Sequence, residues 1–534
     1  MSTQTDTLTL EGLSVELAET AQALVKDVAI RLRAGEIFAL VGESGSGKSI
    51  TSLAAMRLLP DALRVGGGRA LMGDTDLFAL PEARMQTVRG RRMAMIFQNP
   101  MSALNPVQTV FRQVAETLRL HTALRGAALR DRVASLLEEV GIPDPRQRMG
   151  FYPHQLSGGQ QQRIMIAMAL ACEPEVLIAD EPTTALDVTI QKQVLELIRE
   201  LARSRRLAVL LITHDMGVVR QTADRVGVMY RGRIIEEASV AAFFAAPKEA
   251  YSQRLIDALP GQDVFLPPVQ APPLLEVRDL SVHFPVRGGL LRRVQDVTRA
   301  VDGVSLTLAR GETFALVGES GSGKSTLGRA ILGLEGASGG EIHFDGTRID
   351  TLDRRARQAF RRRIQVIFQN PYSSMNPRMA IGAIIAEGML SLGVEAAESR
   401  REERVAALLE RVRLPADCAR RYPHELSGGQ LQRVAIARAL AVDPELIICD
   451  EPTSALDVSI RADVLALLAE LQREDAVAML FITHDLSIVP GLAHRIGVMR
   501  SGVLVETDTA ERVLTAPEHA YSQELLAAVP RVNR

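Results

Sequence analysis

The 534-residue chain holds three cysteines, no tryptophan and only 4% aromatic residues. Cys172, Cys418 and Cys449 stand far apart, outside any CxxC or Cys/His array, so zinc and iron–sulfur chemistry has no ligand set to build on. Few, scattered thiols suit a reducing cytoplasm. A surplus of one charge is also missing: 62 Lys+Arg face 64 Asp+Glu, for a formal net charge of −2. Without a basic excess a chain is poorly equipped to neutralise phosphate backbones, and nucleic acid is not expected as a partner. Apolar runs such as Ala208–Ile212 fall far short of the ~20 residues that span a bilayer. The opening MSTQTDTLTLEG lacks the basic-then-apolar order of a signal peptide. The chain is therefore expected not to cross a membrane by itself, and any pore must come from other chains.

What is present is globular in composition, 47% hydrophobic and 24% charged, and it is present twice. VGESGSGKS at 41–49 returns at 317–325, YPHQLSGGQ at 152–160 returns as YPHELSGGQ at 422–430, and ADEPTTALDV returns as CDEPTSALDV. The tails PKEAYSQRLIDALP (247–260) and PEHAYSQELLAAVP (517–530) also match. Gly42 to Gly318 is an offset of 276 and Gln98 to Gln369 one of 271, whereas Ser157 to Ser427, Asp180 to Asp450 and Tyr251 to Tyr521 are all 270. The copies thus differ in length only before the LSGGQ segment. Two domains are expected, 1–259 and 274–534, joined by PGQDVFLPPVQAPP at 260–273, whose prolines favour extended chain.

The apolar runs Ile37–Val41, Val176–Ala179, Thr313–Val317 and Leu446–Cys449 read as buried parallel strands. Strands Val209–Ile212 and Met479–Ile482 precede the two Thr-His-Asp triplets, and helical patterns occupy 109–150 and 379–420. Strands alternating with helices predict an α/β fold with a mainly parallel sheet in each copy.

Gly42-Glu-Ser44-Gly45-Ser-Gly47-Lys48-Ser49 fits the phosphate-binding loop GxxxxGK[ST], and so does Gly318-Glu-Ser320-Gly321-Ser-Gly323-Lys324-Ser325, followed by Thr326. Glycines let backbone N–H groups turn toward phosphate oxygens, and the following helix adds its positive end. Lys48 and Lys324 suit the β and γ phosphates, and Ser49 and Ser325 suit Mg²⁺, which prefers oxygen ligands. Asp180 and Asp450 end buried strands, where an α/β sheet binds ligands, and each can serve the metal. Glu181 and Glu451, next in line, suit a general base for the attacking water. An Asp-Glu pair taken alone is ordinarily a solvated turn; its place after a buried strand and a phosphate loop reverses that reading.

With LSGGQ at 156–160 and 426–430, the sequence resembles the ATPase subunits of ABC transporters, in tandem and over nearly the whole chain. The resemblance implies two tandem P-loop cassettes, each with a helical subdomain carrying the signature, paired head to tail around two MgATP. One site would join Lys48, Ser49, Gln98, Asp180, Glu181 and His214 to Ser427, Gly428, Gly429 and Gln430. The other would join Lys324, Ser325, Gln369, Asp450, Glu451 and His484 to Ser157, Gly158, Gly159 and Gln160. It also implies that Gln98 and Gln369 contact Mg²⁺, that the two histidines contact the γ-phosphate, and that Asp187 and Asp457 lie in an interface loop. Phe284 fits the adenine-stacking position of the second copy, where the first has Leu17. Both sites are nonetheless expected to be competent. His154 and His424 are expected to be structural, Cys449 a packing residue, and the arginine groups Arg89/Arg91/Arg92 and Arg361–Arg363 solvated surface.

Within that family, NPMSALNP (99–106), NPYSSMNP (370–377), the Ala-Tyr-Ser-Gln tails and FPVRGGLLRR (284–293) resemble the fused ATPase of oligopeptide, dipeptide or microcin C importers. That resemblance implies two integral-membrane permease partners, docked at the Asn-Pro segments, and an extracytoplasmic substrate-binding protein. It places the chain peripherally on the cytoplasmic face of the plasma (inner) membrane. Alternatives are an importer ATPase for nickel, sugar or another small solute, and a ribosome-associated translation factor. The latter resembles DEPTNHLD with a long charged linker, where this chain has DEPTTALD, DEPTSALD and a short Pro-rich one.

Overall fold

Alternating apolar residues open each half as an antiparallel sheet. In the computed structural model, which describes residues 6–98, 103–183, 187–257, 264–288, 293–454 and 456–529, β1 (Asp6–Leu17) buries Leu8, Leu10, Leu13 and Val15. The alternation slips once, where Gly12 takes a left-handed φ of 62° and the register with β2 (Ala23–Arg33) shifts. With β4 (Leu63–Met72) and β5 (Thr75–Asp76) these form a sheet in the order β2-β1-β4-β5.

The second sheet of the first half carries the site. Its order is β10-β9-β3-β8-β7-β6, from β3 (Ile37–Val41), β6 (Met93–Ile96), β7 (Val176–Asp180), β8 (Ala208–Ile212), β9 (Arg225–Tyr230) and β10 (Arg233–Ser239). All pairs are parallel except β9–β10. β3 is buried on both faces: Phe38 and Leu40 meet the antiparallel sheet and the phosphate-loop helix Lys48–Ala55, whereas Ala39 and Val41 meet the tail helix Ala250–Asp257. A further core joins this sheet to the helices Val110–His121, Gly126–Glu139 and Gly158–Leu170, which form the helical subdomain.

The second half repeats this plan. Its antiparallel sheet runs β12-β11-β14-β15, from β11 (Pro273–Gly288), β12 (Arg293–Ala309), β14 (Gly339–Phe344) and β15 (Thr347–Arg348). Its mixed sheet runs β16-β17-β18-β13-β19-β20, from β13 (Thr313–Val317), β16 (Ile364–Ile367), β17 (Leu446–Asp450), β18 (Ala478–Thr483), β19 (Arg495–Arg500) and β20 (Val503–Thr509). Helices Ile381–Ser391, Glu398–Arg411 and Gly428–Leu440 build its helical subdomain. The offset between the copies rises from 267 at Leu17/Phe284 to 276 at Gly42/Gly318, and the extra residues lengthen the β11–β12 hairpin, whose pairing runs out to Gly288 and Arg293. The insertion extends a hairpin and leaves the sheet order unchanged.

The described residues divide into two compact units, 6–257 and 264–529. Among the described residues no helix is long and apolar enough to cross a membrane. The arginine groups are not mere solvated surface. Arg89 donates to the Met56 and Arg57 carbonyls and pairs with Glu82, tying the end of the phosphate-loop helix to the segment before β6. Arg363 bonds Glu445 and Asp345 and lies over the Phe344 ring. A planar fork with five donors finds carboxylates and carbonyls wherever strand ends converge.

Candidate functional site

In both halves the phosphate loop leaves the carboxyl end of the central strand β3 or β13. Gly42 (φ 149°) and Gly318 (φ 151°) lie so close to the neighbouring strand that a Cβ would overlap the carbonyl oxygen of Met229 or Met499. Gly47 and Gly323 hold left-handed conformations as the caps of the phosphate-loop helices. Lys48 and Lys324 are buried, with ammonium groups aimed back into the loop. Lys48 Nζ donates to Gly42 O (2.8 Å) and Glu43 O (2.9 Å), and Lys324 Nζ to Gly318 O (2.8 Å) and Glu319 O (2.7 Å). Each loop thus shapes a nest of glycine-rich backbone around a buried cation, suited to a polyphosphate.

The second residue of each helix faces the end of β7 or β17. Ser49 Oγ donates to Asp180 Oδ1 at 3.1 Å, and Ser325 Oγ to Asp450 Oδ1 at 2.6 Å. Burial pushes both aspartate pKa values up, more than the serine bonds bring them down. A hydroxyl beside a carboxylate at a phosphate loop is a hard-oxygen donor set that fits Mg²⁺, whose shell is usually completed by phosphate and water.

Glu181 and Glu451 follow at left-handed φ values of 47° and 48°. Their N–H groups donate to Ile212 O and Ile482 O. A non-glycine residue rarely holds this conformation. It leaves each carboxylate between two other strand ends. Gln98 Nε2 donates to Glu181 Oε2 at 2.7 Å, and His214 Nδ1 lies 3.1 Å from Glu181 Oε1. The second copy matches, with Gln369 Nε2 at 2.9 Å and His484 Nδ1 at 3.1 Å from Glu451. Burial would raise the Glu451 pKa, but the hydrogen bond and charge of His484, with Lys324 and Gln369, hold it below the usual carboxylate value. Burial also opposes a charge on His484, and contact with Glu451 outweighs it, so His484 is raised. An ionised carboxylate oriented on both oxygens is equipped to accept a proton from water.

The signature segments stand at the N-termini of Gly158–Leu170 and Gly428–Leu440, helices of 13 residues each. Ser157 caps its helix by accepting from Gln160 N, while the Gln160 side chain accepts from Ser157 N; Ser427 and Gln430 do the same. Ser157, Gly158, Ser427 and Gly428 are exposed. Gly159 and Gly429 are buried, pressed against Ile190 and Ile460. Phe284 is 39% exposed, whereas Leu17 is half-buried. Ser44, Gly45, Ser320 and Gly321 lie in the loops, and Thr326 in the first helical turn. Tyr152 stacks on His154 and Tyr422 on His424 beside the signatures. Cys449 is buried, and its thiol is pushed up to about 12 by burial and by Asp450, so it packs as a small apolar group. Of the Asn-Pro segments, 99–102 lie outside the described residues.

One set of contacts eluded motif reading. Glu43 N–H donates to the Tyr251 hydroxyl at 3.0 Å, and Glu319 N–H to the Tyr521 hydroxyl at 3.2 Å. The signal available in the sequence was the repeated Ala-Tyr-Ser-Gln of the two tails.

Comparison with known proteins agrees with this geometry. The family model for ABC transporters matches residues 25–184 and 301–454, and that for the oligopeptide/dipeptide transporter C-terminal region matches 505–534. The chain is 47% identical to the glutathione import ATP-binding protein GsiA of Pectobacterium atrosepticum, over 98% of this chain and 89% of the relative. It is equally 47% identical to the peptidoglycan transport ATP-binding protein YejF of Agrobacterium fabrum, over 98% and 96%. Among solved structures, the ATP-binding cassette MJ0796 with bound ADP and Pi covers 44% of this chain and 98% of its own, at 28% identity and a TM-score of 0.40. Two phosphate loops, two signatures and full-length relatives lead to one assignment: the chain belongs to the ABC transporter ATP-binding family, as a two-cassette ATPase coupled to import, with the C-terminal region of the oligopeptide/dipeptide transporters.

Proposed function

We propose that the chain powers the uptake of short peptides, with one ATP cleaved in each of two sites that its cassettes, 1–259 and 274–534, complete for one another across the linker 260–273. Lys48 and Lys324 hold the β and γ phosphates, and Glu181 and Glu451 take the proton of the attacking water. Gln98 and His214, like Gln369 and His484, fix those carboxylates in place. Mg²⁺ would be held by Ser49, Gln98 and Asp180 or by Ser325, Gln369 and Asp450, and would neutralise phosphate charge when bound. The exposed starts of the two signature helices offer N–H groups to the γ-phosphate held by the opposite cassette, so ATP binding closes the pair and hydrolysis releases it. That cycle drives two permease subunits loaded by an external binding protein, with the chain peripheral on the cytoplasmic face of the inner membrane.

The observation that carries the peptide reading is the match of 505–534 to the oligopeptide/dipeptide transporter region, in a chain related over its whole length to glutathione and peptidoglycan importers. The test is uptake of labelled di- to hexapeptides, glutathione and peptidoglycan fragments by cells carrying the parent chain or Lys48→Ala with Lys324→Ala. Uptake of one class is expected to collapse to background. Unchanged uptake of all of them, with other peptide importers deleted, rejects a peptide cargo.

A further inference from the structure

In each cassette the tail reaches a peptide plane of the phosphate loop. The unit joining Gly42 to Glu43 offers its carbonyl to Lys48 Nζ at 2.8 Å, and on its other edge its N–H donates to the Tyr251 hydroxyl at 3.0 Å. The second cassette repeats this with Gly318 O to Lys324 Nζ at 2.8 Å and Glu319 N–H to the Tyr521 hydroxyl at 3.2 Å. Turning this peptide over rotates ψ of the glycine before it and φ of the glutamate after it, and a glycine in front lowers the steric cost on its side. Here glycine is obligatory, since a Cβ would strike the next strand. The looseness that the close approach requires is therefore built into the segment that holds the lysine.

The tail is anchored firmly enough to act as a strut. Tyr251 and Tyr521 are 6% and 2% exposed. Tyr251 packs on the Tyr230 ring at 4.4 Å between centroids, whereas Tyr521 lies under the Arg500 guanidinium at 4.6 Å. Glu236 accepts from Lys248 N and Glu249 N at the start of the first tail helix, and Glu506 from Glu518 N and His519 N at the second. The packing partner of the ring differs between the cassettes, while the hydroxyl contact is the same in both.

We infer that Tyr251 and Tyr521 are positioning residues of the two ATP sites: their hydroxyls pin the peptide plane whose carbonyl orients the phosphate-binding lysine. The inference rests on the assignment of Lys48 and Lys324 to the nucleotide phosphates. It makes the peptide-importer tail a working part of the ATPase.

The experiment uses the full chain carrying Tyr251→Phe with Tyr521→Phe, the corresponding double alanine variant, and each pair again in a Lys48→Ala/Lys324→Ala background. The readouts are affinity for a fluorescent ATP analogue, kcat and KM for MgATP, and hydrogen exchange of the tail helices. Phenylalanine keeps the ring and removes only the hydroxyl. It is expected to raise KM and weaken nucleotide binding by about two- to tenfold, the worth of one hydrogen bond, with kcat little changed and tail exchange unaltered. In the lysine-free background the same substitution is expected to change affinity less than about twofold, because the tyrosine acts through the lysine. Parental affinity in the phenylalanine variant overturns the inference, leaving the tyrosines as packing residues that only alanine disturbs. An equal loss with and without the lysines overturns it too. The lysine variants alone test the phosphate assignment: if they bind nucleotide like the parent, that assignment fails and the inference falls with it, whereas weakened lysine variants beside a parental phenylalanine variant overturn the inference alone.

Discussion

Equivalent residues in the two cassettes solve the same local problem with different chemistry. The first N–H of β3, on Ile37, donates to the Asp224 carboxylate at 2.9 Å, whereas in the second cassette Thr313 N–H donates to His494 Nδ1 at 3.0 Å. His494 is 7% exposed, and burial holds its pKa below the ordinary value although Glu312 lies near. Only the unprotonated ring accepts that bond. A folded-state pKa below the unfolded one means that the unfolded chain takes up the proton first. The contribution of His494 is then complete above the unfolded value and is lost as pH falls below it toward the folded value. The melting temperature of the second cassette is expected to fall as the pH drops from neutral through about 6.5, the ordinary histidine value, and His494→Asp, which copies the first cassette, is expected to flatten that fall. Calorimetry across this range decides it; an unchanged slope rejects the role given to His494.

Among elements, the signature helix and the helix after the Asp-Glu turn are fitted to each other through one glycine. A Cβ on Gly159 would lie 2.6 Å from Ile190 Cγ2, a branched side chain with little freedom to turn aside. Gly159→Ala is therefore expected to destabilise the first cassette by about 1–3 kcal/mol, read from urea unfolding. Adding Ile190→Ala is expected to recover most of that loss; a double variant as unstable as the single places the strain elsewhere. The phosphate-loop helices show a different exchange. Arg57, at its helix C-terminus with a left-handed φ of 52°, donates to Leu77 O and Leu80 O. The second cassette has Gly333 there, and Arg357 reaches back from the later helix Arg354–Arg363 to Gly333 O, Asp350 O and Leu352 O. The first copy thus links these segments from both sides, Arg57 reaching forward and Arg89 reaching back to Arg57 O, whereas the second has glycine at the helix end and a guanidinium that reaches back. Helix and strand positions were legible from apolar runs and glycines, because those are local properties. This exchange was not, since it depends on which segments the fold brings together.

For the molecule as a whole, both cassettes keep the same sheet orders and the same Glu-Gln-His contacts. Two working sites are the expected consequence, despite Leu17 in place of an aromatic residue. Glu181→Gln and Glu451→Gln, made singly, are each expected to lower ATP turnover by about half or more, and together by about 10²–10⁴-fold, the usual worth of a general base. Nucleotide binding is expected to survive. One single variant at the parental rate identifies a silent site.

The sequence by itself determined the duplication, the two phosphate loops, the buried strands that carry Asp180 and Asp450, and the two LSGGQ signatures. Each is written in adjacent residues, through glycine-rich motifs or apolar periodicity. The tertiary structure alone decided what those residues touch. Glu181 meets Gln98 from 83 residues away and His214 from 33, and Tyr251 closes on the phosphate loop from 208. Such contacts follow from the order in which parallel strands assemble. That order is set by burial of both sheet faces and not by any spacing along the chain.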